Sequence, residues 1–222
     1  LCGGNSGGGG NLCSICRKDL PLIRQPCHYC GVETGQSADQ LLCGPCILRK
    51  PVFNRCVAAM SYASPADQLI SQFKFNDNFA AGLALGEVLA LEFKSHCSFY
   101  GYPDAIIPIP LHQLRLKKRG FNQALELAKQ LSYSTGVPVF NNTLTRIKNT
   151  VPQTEIKRAG LRKSNLKKAF TCIDLLGQGN AKHIALVDDV VTTGATLNEA
   201  ARTLFINGAE RVDCFCIARA NR

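Results

Sequence analysis

The stretch from His183 to Thr196 constrains this chain more than any other. It opens as the unbroken apolar run Ile184-Ala185-Leu186-Val187, which reads as a strand buried on both faces of a parallel sheet. Two adjacent carboxylates, Asp188 and Asp189, come next, followed by Val190, Val191, Thr192, Thr193, Gly194, Ala195 and Thr196. From Ala195 to Ile206, Leu197, Ala201 and Leu204 recur at helical spacing, and Asn207-Gly208 ends the helix. Strand, turn and helix in that order put the backbone N–H groups of the Thr192–Thr196 turn at a helix N-terminus, where an anion binds most easily.

The residue types narrow the ligand. Thr192, Thr193 and Thr196 offer hydroxyls and amides to a phosphate, and Gly194 lets the backbone approach it. Carboxylates repel phosphate, so Asp188 and Asp189 face something else, and sugar hydroxyls and a divalent cation are the natural partners. A sugar phosphate bearing a diol, accompanied by Mg²⁺, satisfies the whole stretch. A buried strand with a capping Asp and a threonine turn would explain the acid pair alone, but not the full run with its helix.

Ile184 to Thr196 resembles the phosphoribosyl-diphosphate signature of type I phosphoribosyltransferases. The resemblance implies that Asp188 and Asp189 hold the ribose hydroxyls and that Thr192 to Thr196 wrap the 5-phosphate. Purine-salvage members usually carry an Asp where this chain has Thr192, so the resemblance points away from purine salvage.

At 222 residues the chain holds one ordinary domain plus a small one. Its apolar runs are too short to span a bilayer, so no membrane insertion is expected. No charged n-region precedes an apolar h-region, so no secretory signal is visible, and the numbering starts at Leu rather than Met. The formal charge is +10, from 26 Lys and Arg against 16 Asp and Glu. Two tetrathiolate zinc sites, each carrying about −2, would lower that to roughly +6. The balance stays basic, which is compatible with phosphorylated ligands or nucleic acid.

Twelve cysteines include three C-x-x-C pairs in a short N-terminal segment, a spacing that points to metal and a reducing compartment rather than to a disulfide scaffold. Residues 1–60 open with Cys2 and a flexible glycine-rich run, then carry Cys13/Cys16, Cys27/Cys30 and Cys43/Cys46. Each pair forms a knuckle, and two knuckles complete a tetrahedral Zn²⁺ site. The segment is too poor in apolar residues to fold without metal. Cys27, Cys30, Cys43 and Cys46 make one complete set. Cys13 and Cys16 need two further ligands, of which Cys2 is one candidate, its own C-x-x-C partner falling one residue before the numbering begins. A double zinc ribbon is therefore expected, and a crossed pairing of Cys13/Cys16 with Cys43/Cys46 is the alternative. Redox-active dithiols do not fit the tandem pairs, since no thioredoxin-like pattern surrounds them. His28, inside a knuckle, is expected to face solvent. With all four positions thiolate, this metal is expected to brace the fold rather than catalyse.

Residues 61–222 read as the larger domain. Arg55 to Ala63 forms a joining strand. Ser64-Pro65 starts a helix with Leu69, Ile70 and Phe73 as its buried stripe, and Asp77 or Asn78 caps a second with Phe79, Leu83, Ala90 and Phe93 on one side. Lys74, between Phe73 and Phe75, is expected to snorkel to solvent rather than touch ligand. Cys56 and Cys97 have no C-x-x-C partner. Asp104 to Pro110 is an apolar strand broken by prolines at its carboxyl end, where ligands of parallel sheets sit. Just beyond Pro110 and Leu111 come Arg115, Lys117, Lys118 and Arg119, then a helix from Gly120 with Phe121, Leu125, Ala128 and Leu131 on one face. Arg115, Lys118 and Arg119 beside that helix start make a pyrophosphate cradle. Val137 to Phe140 is a short strand. Arg146 to Lys168 carries eight basic residues against one acid; its first half, with Arg146 and Lys148, reads as a basic lid. Arg211 to Ala218 is the last strand, with Cys214 and Cys216 in core packing, and Arg219 and Arg222 end the chain in charge.

Ile107-Pro108-Ile109-Pro110-Leu111, Arg119-Gly120-Phe121-Asn122-Gln123, Thr150 with Gln153, Arg162 with Asn165-Leu166, and Ala169-Phe170 resemble the ComF competence-protein family, as does a cysteine module joined to a phosphoribosyltransferase-like domain. The resemblance implies an α/β fold: a type I phosphoribosyltransferase-like parallel sheet flanked by helices, preceded by a zinc ribbon. It implies a cytoplasmic protein of natural transformation that handles imported single-stranded DNA, binds phosphoribosyl diphosphate with Mg²⁺ and works with other competence proteins. Ligand binding is implied more strongly than turnover, which would be glycosyl transfer. Two alternatives are a DNA-binding adaptor with a vestigial transferase pocket and a nucleotide-salvage phosphoribosyltransferase.

Overall fold

The computed structural model describes residues 10–35, 41–75, 78–148, 169–173, 175 and 180–220. Four parallel strands form the central sheet: β1 (Arg55–Ser61), β2 (Ala105–Pro108), β5 (His183–Val191) and β6 (Arg211–Arg219), in the spatial order β1-β6-β5-β2. Their composition explains the order. β6 is buried along almost its whole length and β5 over its first half, as central strands of a two-faced sheet must be. The expected strand at Val137 to Phe140 is a single bridge, Val139 pairing with Ile106, held by Ile106 N–H to Pro138 O and Phe140 N–H to Ile106 O.

Helices cover both faces. On one lie α3 (Ala66–Phe75), α4 (Phe79–Tyr100) and α6 (Gln123–Thr135), whose Leu69, Phe73, Leu85, Leu89, Phe93, Leu127 and Leu131 meet Ile106, Val187, Phe215 and Ile217 of the sheet. Phe93 and Phe215 have ring centroids 4.6 Å apart. On the other lies α7 (Ala195–Ile206), with Leu197, Ala200, Ala201 and Leu204 against Ile107, Leu186, Cys214 and Cys216. A two-stranded antiparallel ribbon, β3 (Leu144–Arg146) with β4 (Phe170–Cys172), adds Leu144 and Phe170 to this second core.

Asn78 caps α4 as the sequence suggests, its side chain accepting from Ala81 N–H at 3.0 Å. The buried stripe of α4 is different from the expected one. Phe79 and Leu83 are exposed, and Ala81, Ala84, Leu85, Val88, Leu89 and Phe93 face the core. This helix is apolar on several sides, so the pattern does not select a face and packing against the sheet does. Cys56, Cys97, Cys214 and Cys216 are all buried core thiols.

The cysteine segment runs beside β1 and covers that edge of the sheet. Leu22 bridges Met60, Ser61 N–H donates to Pro21 O, and Cys56 N–H donates to Tyr29 O, both at 2.8 Å. Two short helices, α1 (Ser14–Lys18) and α2 (Gly44–Leu48), belong to it, and Arg17 pairs with Glu87 of α4. Among the described residues no helix is long and apolar enough to cross a membrane.

Candidate functional site

β5 carries the acids to the carboxyl edge of the parallel sheet, and the turn after it enters α7 directly. Gly194 is the N-cap of α7 with φ +72°, a left-handed conformation that suits glycine at the close of this turn. Thr193 Oγ1 accepts from Ala195 N–H at 3.2 Å, and Asn198 returns its amide to Gly194 O at 3.0 Å. The expected members, Asp188 to Val191 at the end of β5 and Thr192 to Thr196 across the turn into α7, thus lie together at the carboxyl edge of the sheet.

Successive strand residues point to opposite faces, and the two acids differ accordingly. Burial, followed by the charge of Asp189, pushes the Asp188 carboxyl up to about 7. Asp189 points to the α3 side and pairs with Lys74 at 2.8 Å. This corrects the expected solvent-facing Lys74: its side chain is 16 % exposed and engaged by the acid pair. The last turn of α3 sits beside the end of β5, so the lysine finds a carboxylate before it reaches water.

The basic segment after β2 is a short helix, α5 (Gln113–Arg119), with His112 as N-cap. Pro110 and Leu111 lead into it from the strand tip. Lys118 is exposed, whereas Arg115 and Arg119 are half-buried. Arg119 donates to Gln123 Oε1 at 3.1 Å and lies over the Phe75 ring. Asn122 caps α6 and bonds Ile109 O at 3.1 Å, which ties the strand tip to the helix start. Arg146, on β3, is drawn into the same region. Burial lowers its tendency to hold a proton, Arg115 adds to that, and Asp188 opposes it. Arg115, Arg146 and Asp188 therefore share one electrostatic neighbourhood. Lys148 is exposed. The rest of the basic stretch, 149–168, with the remainder of the expected lid, lies outside the described residues, as does Arg222.

Arg219 is a residue the sequence reading misses. It does not end the chain in solvent: it is 7 % exposed at the close of β6. Its Nε donates to Cys30 O at 3.0 Å and its Nη1 to Val191 O at 3.0 Å, with Thr192 O and Ala220 O also accepting. The available signal is an arginine on an otherwise both-faces-buried strand, which has to find acceptors.

Cys27, Cys30, Cys43 and Cys46 bring their sulfurs within 4.8 Å of one another, which selects the direct pairing over the crossed one. The group fits Zn²⁺. A Zn–S bond of about 2.3 Å requires a tetrahedral S···S edge of about 3.8 Å, and Cys30 Sγ and Cys43 Sγ lie 3.6 Å apart. Burial raises the Cys27 thiol, but N–H groups of Cys30, Cys43 and Tyr29 aimed at the sulfur outweigh it and leave it at about 7, whereas burial and the neighbouring cysteines push Cys30 up to about 11 and Cys46 up as well, so a bound cation is what would hold all four as thiolates. His28 turns away from the sulfurs toward Arg55, as the sequence suggests. Cys13 caps α1 and accepts from Cys16 N–H at 3.4 Å. Their proposed partner Cys2 lies outside the described residues.

The phosphoribosyl transferase domain family matches residues 87–222. Over 211 residues the chain is 36 % identical to Competence protein F of Haemophilus influenzae, covering 94 % of this chain and 90 % of that one. It is 37 % identical to DNA utilization protein YhgH of Escherichia coli K12, with the same coverages. Competence protein ComFC of Bacillus subtilis is 30 % identical over 95 % of this chain and 79 % of its own length. An acid pair and threonine turn at the carboxyl edge of a parallel sheet, with a four-cysteine group in front, accompany these matches, and the chain belongs to the ComF competence-protein family, with a phosphoribosyl transferase domain behind an N-terminal four-cysteine module.

Proposed function

We propose that this protein binds phosphoribosyl diphosphate with Mg²⁺ and serves the handling of imported single-stranded DNA in natural transformation. The observation that carries the ligand reading is the joint placement of Asp188, Asp189 and the Thr192–Thr196 turn at the sheet's carboxyl edge, at the start of α7. The turn's amides and hydroxyls hold the 5-phosphate. Asp188 and Asp189 take the ribose diol and the cation's water shell, with Lys74 balancing their charge. Arg115, Lys118 and Arg119 of α5, Arg146 of β3 and Lys148 just beyond it face the pyrophosphate. Zn²⁺ fills the Cys27/Cys30/Cys43/Cys46 group as a structural ion, and residues 1–60 and 61–222 act as its module and the ligand domain. Relatives named for competence and DNA utilization support the role in transformation, and the C-x-x-C pairs, which suit a reducing compartment, support a cytoplasmic location.

Titration calorimetry with phosphoribosyl diphosphate and Mg²⁺ tests the ligand reading. Wild type releases heat with 1:1 saturation, and Asp188→Ala/Asp189→Ala loses at least a hundredfold in affinity. Absent heat from wild type, or equal affinities, removes it. The basic α5 favours a second reading in which the chain grips a DNA backbone independently of this pocket. That reading expects salt-sensitive binding of single-stranded DNA that survives the double Asp substitution.

A further inference from the structure

The anion turn and the four-cysteine module are far apart in sequence but share one side chain. Arg219 spans them, with Nε on Cys30 O and Nη1 on Val191 O and Thr192 O. Cys30 and Arg219 are 189 residues apart in the chain. Among the described residues every hydrogen-bond acceptor of this buried guanidinium is a main-chain carbonyl, so its charge is not answered by a carboxylate. Cys30 belongs to the four-cysteine group, and four thiolates around one Zn²⁺ would carry about −2 on that side of the guanidinium.

The bonds to Val191 O and Thr192 O have a geometric consequence. Among the described residues the one cis peptide bond is Ser64-Pro65, so the peptides following Val191 and Thr192 are trans. In a trans peptide the C=O and N–H point in opposite directions. Carbonyls turned toward Arg219 therefore aim the N–H groups of Thr192 and Thr193 to the far side of the turn. Those are the amides an anion at the start of α7 has to meet. A guanidinium behind the turn also adds a fixed positive field there.

We propose that Arg219 is the positioning residue of the anion turn, and that through Cys30 it makes the turn's ligand affinity depend on metal in the four-cysteine centre. The proposal rests on the phosphoribosyl diphosphate reading for its ligand. Cys30 O holds the guanidinium plane, and the plane holds the Thr192 carbonyl; the Val191 carbonyl it shares with Ala220 N–H, which donates to it at 2.9 Å. When the knuckle loses its metal it loses its shape, the plane is released, and the amides no longer converge.

The test uses the full-length, zinc-loaded chain as wild type, Arg219→Gln and Arg219→Lys. Zinc content, far-ultraviolet circular dichroism, affinity for phosphoribosyl diphosphate with Mg²⁺, and amide exchange over 191–196 are measured before and after zinc removal by a chelator. Arg219→Gln weakens the ligand tenfold or more with circular dichroism and zinc content unchanged. Arg219→Lys keeps the charge but not the planar fork, and falls between the two. Chelation weakens wild type by a similar factor and adds little to Arg219→Gln, the non-additivity expected of a shared pathway. By reciprocity, saturating ligand raises wild-type zinc affinity by the same factor. Wild-type affinity in Arg219→Gln, or equal chelation penalties in wild type and variant, overturns the proposal. If wild type binds no phosphoribosyl diphosphate, the ligand reading falls, and exchange decides the rest. Faster exchange of the 192–195 amides on both substitution and chelation retains the coupling, and unchanged exchange ends it. Should Arg219→Gln fail to fold, Arg219→Lys carries the same comparison.

Discussion

Asp188 and Asp213 are both acids on neighbouring strands of one sheet, and they respond to pH in opposite ways. Burial and the Asp189 charge raise Asp188 to about 7. The folded chain thus holds that proton more tightly than the unfolded chain does. Its contribution to stability is full below about pH 4 and is lost as pH rises through 7. Ligand binding runs the other way, since a cation and a diol want the carboxylate. Affinity for the Mg²⁺ complex is expected to fall several-fold from pH 8 to pH 6, and calorimetry at the two values checks this. Lys74→Met removes a charge that lowers Asp188 and moves the fall to higher pH; an unmoved profile would show that Lys74 has no hold on the acid pair. Asp213 is fully buried. Burial alone would raise it, but hydrogen bonds from His183 and His96 and the charge of Arg211 outweigh that and hold it well below the usual carboxylate range. Its stabilisation is present above the ordinary carboxylate pKa of about 4 and is lost as pH falls below it. Asp213→Asn strands three basic partners and costs on the order of 3 kcal/mol, seen as a fall in the midpoint of urea unfolding with unchanged slope.

The knuckle is the element on which the module's attachment depends, and it depends on one backbone conformation. Gly31 has φ +68°, and a Cβ there would lie 2.6 Å from Cys56 O, a main-chain atom of β1. Gly35 has a similar φ, +61°, with nothing within 4 Å of its Cβ position. Gly35→Ala therefore bears only the left-handed conformation, about 1 kcal/mol, whereas Gly31→Ala adds a clash with the sheet edge. Gly31→Ala is expected to lower the thermal midpoint more than Gly35→Ala and to release zinc to a colorimetric chelator sooner. Equal behaviour of the two would mean that the knuckle does not lean on β1. Elements were legible where their pattern is local and strong: β5 into α7 reads correctly because a buried run, a turn and a 3.6-residue repeat follow one another. α5 was not legible as a helix. It has seven residues and buries none of them, so no periodicity marks it. Of the expected α4 stripe Phe93 is in the core and Ala90 packs against it while Phe79 and Leu83 are exposed, because an all-round apolar helix has no preferred face until a sheet supplies one.

At the scale of the molecule, binding is linked to stability by mass action. Phosphoribosyl diphosphate with Mg²⁺ at a hundred times its dissociation constant stabilises the folded state by about 2.7 kcal/mol. For a chain of this length that is a rise of roughly 5–10 °C in the thermal midpoint. Scanning fluorimetry is expected to show the rise in wild type and not in Asp188→Ala/Asp189→Ala. Zinc removal acts on the same quantity through the N-terminal module. The cysteine segment covers the β1 edge through Leu22, Pro21 and Tyr29 and reaches α4 through Arg17 and Glu87, so its loss uncovers the sheet as well as the knuckle.

The sequence by itself determined what fits within some fifteen consecutive residues. The strand that delivers Asp188 and Asp189, the threonine turn, the α7 stripe and the C-x-x-C pairs each carry their chemistry in adjacent positions, so spacing alone announces them. The tertiary structure decided every choice among equivalents. Three cysteine pairs permit more than one tetrahedral set, and the fold brought Cys27/Cys30 to Cys43/Cys46. Many lysines could neutralise an acid pair, and packing of α3 beside β5 chose Lys74. A terminal arginine could lie anywhere, and the end of a fully buried strand placed Arg219 between a knuckle and an anion turn. Lys74 with Asp189, and Arg219 with Cys30, are more than 100 positions apart, where no local pattern exists and only the shared core brings the partners together.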